Sequence, residues 1–559
     1  MTFPTTWYFH SSAPEFFICS WCFVEHIYTS RFQDQFVGTI LNDEKPRECL
    51  FSRPRMNKVL FPDATSTGSL QGVLEWMKRR SAIPKCKGVD GAKGAAGVKW
   101  YSTIGNEING FVACEACYED ICLTNSFASH LEPTPNCQAA DDVWFCDMAV
   151  RFVQGVYTES GKTKNWTNFV TEAEARMNRI SSCPKGSRSS GSSRAWFRPK
   201  NRDPGGLVIC AACYCDHVGL TADSSAWERA TELDGRLDIN VTCDMGQFNL
   251  LIAMLRAVER EDYSIWWTAV REVARQPHCD SKGVKDGVWY TLPSRPAGFE
   301  VCGACYAAVL RSLDIERFFV RRSDIPPGES RLCSLHPSYQ RFQSVVNKLL
   351  ETFYLQDTAR LERWAVDYAD TPICGRDKDF KDRVWYGWEE CTICPECYLE
   401  FIKGTSLAGA MPLRGARIPQ MSLCEMYSPR MRQLYLEACE TGDPSQLLEH
   451  ATLRRRVYFE TVPPIRAILF RAQMRLGEQV RLNAASTTYK MMGGLEAIGH
   501  TSHYTYGNAA VGYGHENLHS FQGAVYGQQG MEVFRAGQMQ GVNDKFVIKE
   551  LEERWRAVE

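Results

Sequence analysis

The sequence has no apolar run approaching the ~18 uninterrupted residues that a membrane-spanning helix needs. The opening stretch, "MTFPTTWYFHSSAPEFFICSWCFVEHIYTS", lacks a basic n-region, and its short apolar run follows Glu15 and is interrupted by two cysteines. The expectation is a chain with no signal peptide and no transmembrane segment, in the cytoplasm or nucleus. Net charge is nearly absent, with 64 Lys+Arg against 66 Asp+Glu. No global attraction to nucleic acid or anionic lipid follows from that balance, and any such affinity must be local. A phosphate loop, a dinucleotide fingerprint and a Ser/His/Asp order are also missing. The only enzyme these absences leave open has a site assembled between distant residues, invisible to motif reading.

What the sequence does have is cysteine, 24 in 559 residues. A chain of this length holds about three or four average domains and needs no crosslink to build a core. The cysteines keep a beat. "VWYTLPSRPAGFEVCGACY" ends on Cys302 and Cys305, "VKWYSTIGNEINGFVACEACY" on Cys114 and Cys117, and "RAWFRPKNRDPGGLVICAACY" on Cys210 and Cys213. "RVWYGWEECTICPECY" supplies Cys394 and Cys397, and "TWYFHSSAPEFFICSWCF" supplies Cys19 and Cys22. Successive first cysteines lie 95, 96, 92 and 92 residues apart, the signature of a tandem repeat.

Two more cysteines keep the same phase. Cys86, Cys183, Cys279 and Cys374 precede the CxxC pairs by 28, 27, 23 and 20 residues. Cys49, Cys146, Cys243, Cys333 and Cys424 follow the second CxxC cysteine by 27, 29, 30, 28 and 27 residues. "CDM" recurs at Cys146 and Cys243, and "CLFSRPRM" from Cys49 matches "CEMYSPRM" from Cys424. The unit is C-x(19–27)-CxxC-x(26–29)-C. Four thiolates can close a tetrahedral shell around Zn²⁺, and a CxxC turn brings two sulfurs from one tight loop to one ion. The reading is therefore about four or five structural Zn²⁺ ions. Two alternatives stand beside it. Two disulfides per repeat would require an oxidising compartment, and two sequons, at Asn165 and Asn240, would matter only there. A thioredoxin-like redox site would carry one CxxC at a βαβ helix start, not five with outer partners.

The fold class expected is α+β: a short strand-and-loop cysteine module followed by two helices in each repeat. The FxV and LVI triplets before each CxxC read as strands feeding the knuckle. Phe248, Leu251, Ile252 and Leu255, and likewise Phe342, Val345, Val346, Leu349 and Phe353, mark helical faces; Trp76, Trp267 and Trp364 sit in second helices. The Trp-aromatic pairs, led by Trp7, Trp100, Trp196, Trp289 and Trp385, are expected to pack over the knuckle rather than to bind a ligand. Repeat boundaries follow at 1–82, 83–179, 180–276, 277–371 and 372–462. A basic helical cap over 463–499, a low-complexity linker over 500–541 and an amphipathic helix over 542–559 complete the chain.

Departures from the pattern locate other candidates. The first copy has no upstream cysteine; His10 could replace it, the site could be empty, or the chain could begin further upstream. Cys391 adds a thiol three residues before Cys394, and Cys122, Cys137, Cys215 and Cys439 also lie outside the framework. Loop 183–202 clusters Lys185, Arg188, Arg194, Arg198, Lys200 and Arg202 with only Asp203 nearby in sequence; the reading is a solvated loop, with phosphate contact or a phosphorylation-controlled tail as the alternative. Pro463-Pro464 is a plausible helix start, followed by an apolar face of Ile465, Ile468, Leu469, Ala472 and Leu476 beside Arg466, Arg471 and Arg475. "HENLH" at 515–519 matches a zinc-protease pattern, but flanking glycines oppose the stable helix that motif needs, so a chance match is expected, with weak metal binding alongside His500 and His503 more plausible than hydrolysis. Ile548, Leu551, Trp555 and Val558 form a narrow seam suited to a partner helix or to docking on the body.

The FxVCxxCY segments and their Trp-aromatic lead resemble those of uncharacterised cysteine-rich proteins predicted from filamentous fungi, and the resemblance implies no activity. The function expected is a zinc-binding protein-interaction scaffold, with a protein partner possible through 543–559. The rival is a nucleic-acid-binding regulator using the basic loop and the Arg-rich segment 453–481.

Overall fold

The alternation of Trp and a second aromatic places one side chain on each face of a short strand, and the strands pair in one recurring way. Trp289–Thr291 lies antiparallel between Val301–Cys302 and Val320–Arg322. Trp196–Pro199, Trp100–Thr103 and Thr5–His10 occupy the same central position in their own three-stranded sheets. The register is constant: Trp289 faces Cys302, Trp196 faces Cys210, Trp100 faces Cys114 and Trp7 faces Cys19. Tyr386–Gly387 and Thr392–Ile393 pair in the same phase. This computed structural model describes residues 5–41, 47–411, 421–498 and 518–559, which fall into two units, Met1–Ala369 and Asp370–Glu559.

Each cysteine module is followed by two helices, for example Arg151–Thr163 and Trp166–Glu174, or Phe342–Leu355 and Ala359–Tyr368. Module and helices share a core. That of the second repeat joins Trp100, Phe111 and Cys114 to Val153, Tyr157 and Phe169. The five tryptophans that lead the cysteine modules, Trp7, Trp100, Trp196, Trp289 and Trp385, are buried in such cores.

In Phe248–Glu259 the side chains facing the helix's own core are Leu250, Ala253, Met254 and Ala257. Of the stripe expected from sequence, Leu251 packs on this core while two members turn to the other face. Phe248 and Ile252 pack on the core of the following repeat, with the Phe248 ring 4.8 Å from that of Phe342. A helix between two cores needs apolar residues on both faces, so periodicity alone cannot say which is inner.

Charged pairs reinforce these junctions. Arg80, 2% exposed, donates from Nε and Nη2 to Asp120 at 2.7 and 3.0 Å, and Arg176 grips Asp216 through Nε and Nη2 at 2.9 and 2.7 Å. Both carboxylates stand three residues after the second CxxC cysteine, and both arginines come from the preceding helical pair. Removing one partner of a buried ion pair strands the other. Arg80→Ala is accordingly expected to cost about 3 kcal/mol, at the low end of the usual range because Arg53 also approaches Asp120, at 3.5 Å. Urea unfolding together with hydrogen exchange across Glu115–Asp120 measures it.

Two expectations for the C-terminal third are corrected. No helix starts at Pro463; the second helix of the fifth repeat runs on as Ser445–Ile498, with Pro463 and Pro464 inside it. Each proline forfeits an intrahelical N–H, and the helix is tied here by side chains on either side: Thr461 Oγ1 donates to Val457 O at 2.6 Å, and Arg466 donates to Asp377 O at 2.7 Å. The linker read over 500–541 is helical from Leu518, as part of Leu518–Arg556, which packs on the long helix. Three of its glycines, Gly523, Gly527 and Gly530, serve close approach. A Cβ on Gly523 would stand 2.8 Å from Lys490 Cγ and 3.1 Å from Ser486 O, and one on Gly530 would stand 2.6 Å from Asn483 Oδ1.

Candidate metal centres

The fourth repeat shows how the chain gathers four sulfurs. Cys302 is extended, and the chain then turns into one helical turn, Gly303–Cys305. The N–H of Cys302 donates to Cys333 Sγ at 3.4 Å, bringing the downstream cysteine onto the knuckle. A second ladder, Val284–Lys285 against Ser330–Arg331, holds the arm bearing Cys279 beside the arm bearing Cys333. Tyr290 stacks on Tyr306, the residue just past the knuckle, with centroids 3.6 Å apart.

The other copies repeat each device. Cys19, Cys114, Cys210 and Cys394 donate N–H to Cys49, Cys146, Cys243 and Cys424 at 3.3 to 3.4 Å. Tyr8 on Phe23, Tyr101 on Tyr118, Phe197 on Tyr214 and Tyr386 on Tyr398 stack at 3.7 to 3.9 Å. Ala92–Lys93 with Val143–Trp144, Ser189–Ser190 with Asn240–Val241, and the bridge Phe380 to Ser422 tie the outer arms. The approach is tight: a Cβ on Gly246 would sit 2.7 Å from Lys185 Cα.

The result is four groups whose sulfurs all lie within 4.8 Å of one another: Cys86, Cys114, Cys117 and Cys146; Cys183, Cys210, Cys213 and Cys243; Cys279, Cys302, Cys305 and Cys333; Cys374, Cys394, Cys397 and Cys424. Cys19, Cys22 and Cys49 form a fifth group of three. Each group could hold a metal ion. Within them, hydrogen bonds from neighbouring sulfurs hold Cys86, Cys210, Cys302 and Cys374 well below the usual thiol range, while Cys117, Cys213, Cys305 and Cys397 are pushed up. The clustered sulfurs cannot all carry charge unaided, and a cation among them would permit their common deprotonation.

Residues beside the ligand positions pin the arms. Asp147 Oδ2 accepts from Val112 N at 2.8 Å while Asp147 N donates to Val112 O at 2.9 Å, and Asp244 and Val208 make the same exchange. Burial lifts both carboxyls to about 6. Ser334 exchanges the equivalent bonds with Glu300. This clamp was not read from the sequence as such, although the recurring Cys-Asp-Met carried it.

Other candidates resolve differently. His10 is not part of the first cluster; its Nδ1 accepts from Ser12 N at 3.0 Å and its ring packs edge-on to Phe36. Cys391 and Cys122 are fully buried core residues whose thiols burial pushes up, and Cys215 is pushed up to about 11. Among the described residues neither these nor Cys137 and Cys439 join a group. The basic loop is less bare than its sequence suggests: Arg198 pairs with Glu228 and Glu232, Arg194 donates to Ser182 O, and Asp203 is taken by Arg271. In the Arg-rich segment, Arg454 meets Glu425 and Glu559, Arg466 meets Asp377, and Arg475 meets Asp544. Residues 499–517, which hold His500, His503, His515 and Glu516, lie outside the described residues; His519 stacks on Tyr489.

The seam at the C-terminus turns inward. Trp555 lies over the Arg454 guanidinium, and Val558 O contacts His450 Nε2 at 3.0 Å. Among the described residues no helix is long and apolar enough to cross a membrane. No protein-family model, curated protein or solved structure matches this chain.

Proposed function

We propose that the protein is a zinc-held repeat scaffold for protein assembly. The observation that carries the metal reading is the gathering of four sulfurs within 4.8 Å of one another at four places, each from the same three segments of its repeat. Zn²⁺ is the ion of choice for such a donor set, being four-coordinate, soft enough for thiolate and indifferent to angular distortion. A shell of four thiolates offers no vacant position, so these ions hold structure and activate no water.

The scaffold reading rests on surface chemistry. On the long helix Phe470, Met474, Leu476 and Val480 are exposed, although the helix packs along Leu518–Arg556. Apolar side chains gathered on one exposed helix suit a protein partner. The pairing of Arg198, Arg454, Arg466 and Arg475 with carboxylates of the same chain leaves less cation for a phosphate backbone.

Native mass spectrometry tests the metal reading: at least four zinc ions per chain are expected, and fewer than four overturns it. A binding titration against mixed-sequence duplex DNA and RNA tests the scaffold reading. Steeply salt-dependent affinity that falls when Lys185, Arg188 and Lys200 are neutralised would replace the scaffold by a nucleic-acid regulator.

A further inference from the structure

The first repeat differs from the others at the place where its neighbour would be. In the second, third and fourth repeats the knuckle is roofed by the helices of the preceding repeat. Ala116, Ala212 and Ala304, the second residue inside each CxxC, are 2%, 2% and 1% exposed. Asn249 Nδ2 reaches Cys305 Sγ at 3.7 Å from such a helix, and Arg80 and Arg176 grip Asp120 and Asp216 from theirs.

The first repeat has the receiving half of this junction alone. Trp21, in the position of those alanines, is 74% exposed. Val24 and Tyr28 beside it are exposed, and among the described residues Glu25, in the position of Asp120 and Asp216, has as its ion-pair neighbour the weak His26 at 3.7 Å. Its cluster has three sulfurs. Residues 1–4 and 42–46, outside the described residues, contain no cysteine or histidine.

Three independent lacks therefore coincide on one face: the fourth thiolate, the cation for the carboxylate, and the apolar cover. In the second and third repeats one object supplies all three, a helical segment that carries an arginine and leads into a cysteine; the fourth has Ala308 in place of the carboxylate. We propose that the first knuckle is a docking site for such a segment from outside residues 1–559, whose cysteine completes the metal shell while its arginine pairs with Glu25 and its apolar face covers Trp21. This rests on the reading that the clusters hold metal. Trp21 replaces an alanine and so calls for a partner grooved to take an indole, which separates it from the chain's own helices and gives the junction a hot-spot anchor.

Cobalt reconstitution of the full chain tests it. Four equivalents of Co²⁺ should give the visible bands of tetrathiolate sites, and a fifth should give the weaker bands of three sulfurs and a light donor. The probe is a peptide copying residues 69–90, which carries Arg80 and Cys86, offered both to the wild-type chain and to Trp21→Ala, which restores the alanine that this peptide covers in the second repeat. Conversion of the fifth site to tetrathiolate bands in either chain, lost with a Cys86→Ser peptide and weakened at least tenfold by Glu25→Ala, supports the docking site. Tetrathiolate bands at the fifth equivalent without peptide would mean that the site is completed from within, and would overturn the proposal. Failure of both chains to respond to the peptide, or equal capture of the serine peptide, overturns it too. Fewer than four tetrathiolate equivalents would instead show that the underlying metal reading is wrong.

Discussion

Cys305→Ser is expected to remove one metal ion per chain and to unfold the fourth repeat, while Cys391→Ser leaves the metal count unchanged. The two thiols are nearly equally buried, at 1% and 0% exposure. They differ in company. Cys305 shares its space with Cys279, Cys302 and Cys333, whereas Cys391 sits in the core beyond reach of the fifth cluster. Structural zinc contributes on the order of 10–16 kcal/mol in small modules, as much as the whole stability of an ordinary domain. The knuckle of the fourth repeat hangs on strands of two or three residues, so little remains to hold it once the ion is lost. Cys391→Ser costs about 1–3 kcal/mol, the penalty of burying a hydroxyl without a partner. Native mass spectrometry for the ion and limited proteolysis for the fold separate the cases.

The damage from Cys305→Ser should also spread. Phe248 of the third repeat packs on Phe342 of the fourth, and Arg260 pairs with Asp314 at 2.8 Å across the same junction. In a linear array each unit is stabilised by its neighbours. Protection of Phe248–Glu259 from hydrogen exchange is therefore expected to fall, while that of Gln71–Ala82, two junctions away, holds.

The cysteine groups were legible because the chemistry of a ligand shell fixes residue type and spacing together. One tryptophan opposite the first knuckle cysteine in each repeat was legible for a related reason, since strand alternation and a fixed hairpin leave it one place to go. The junctions were not. Arg80 and Asp120 stand 40 residues apart, and nothing local marks them as partners. A carboxylate recurring three residues past the knuckle, as Glu25, Asp120, Asp216 and Glu400, was the available signal. The glycines of 523–530 misled for an opposite reason. Glycine lowers helix propensity by up to about 1 kcal/mol per residue, yet a partner helix close enough to touch the bare Cα repays that through packing. Propensity is read residue by residue, and the contact that overrides it lies in Ser486 and Lys490, near which Gly523 packs.

Arg454→Ala is expected to release the end of the last helix and cost about 3–5 kcal/mol. Arg454 is fully buried, its Nη1 on Glu425 and its Nη2 on Glu559, with Tyr427 and Trp555 on its faces. Glu425 is also fully buried, and desolvation lifts its carboxyl to about 7 although Arg454 and Arg455 oppose the rise. Without Arg454 that opposition weakens, so the carboxyl rises further. A folded-state value above the unfolded one means that the folded protein binds the extra proton, and stability grows as pH falls through the folded value. The deficit of Arg454→Ala relative to the parent should therefore be larger at pH 8.5 than at pH 6.5, with the metal contribution cancelling between the two chains. Pairing Arg454→Met with Glu425→Leu removes both buried charges and keeps their volume, and should recover most of the loss, because the cost lies in the stranded carboxylate rather than in the missing attraction. Glu559 keeps access to water, with 20% of its side chain exposed, and needs no replacement. Trp555 fluorescence and hydrogen exchange over the last turn of Leu518–Arg556 report the release; a double variant as unstable as Arg454→Ala alone would show that the guanidinium acts through its contacts with Trp555 and Tyr427 instead.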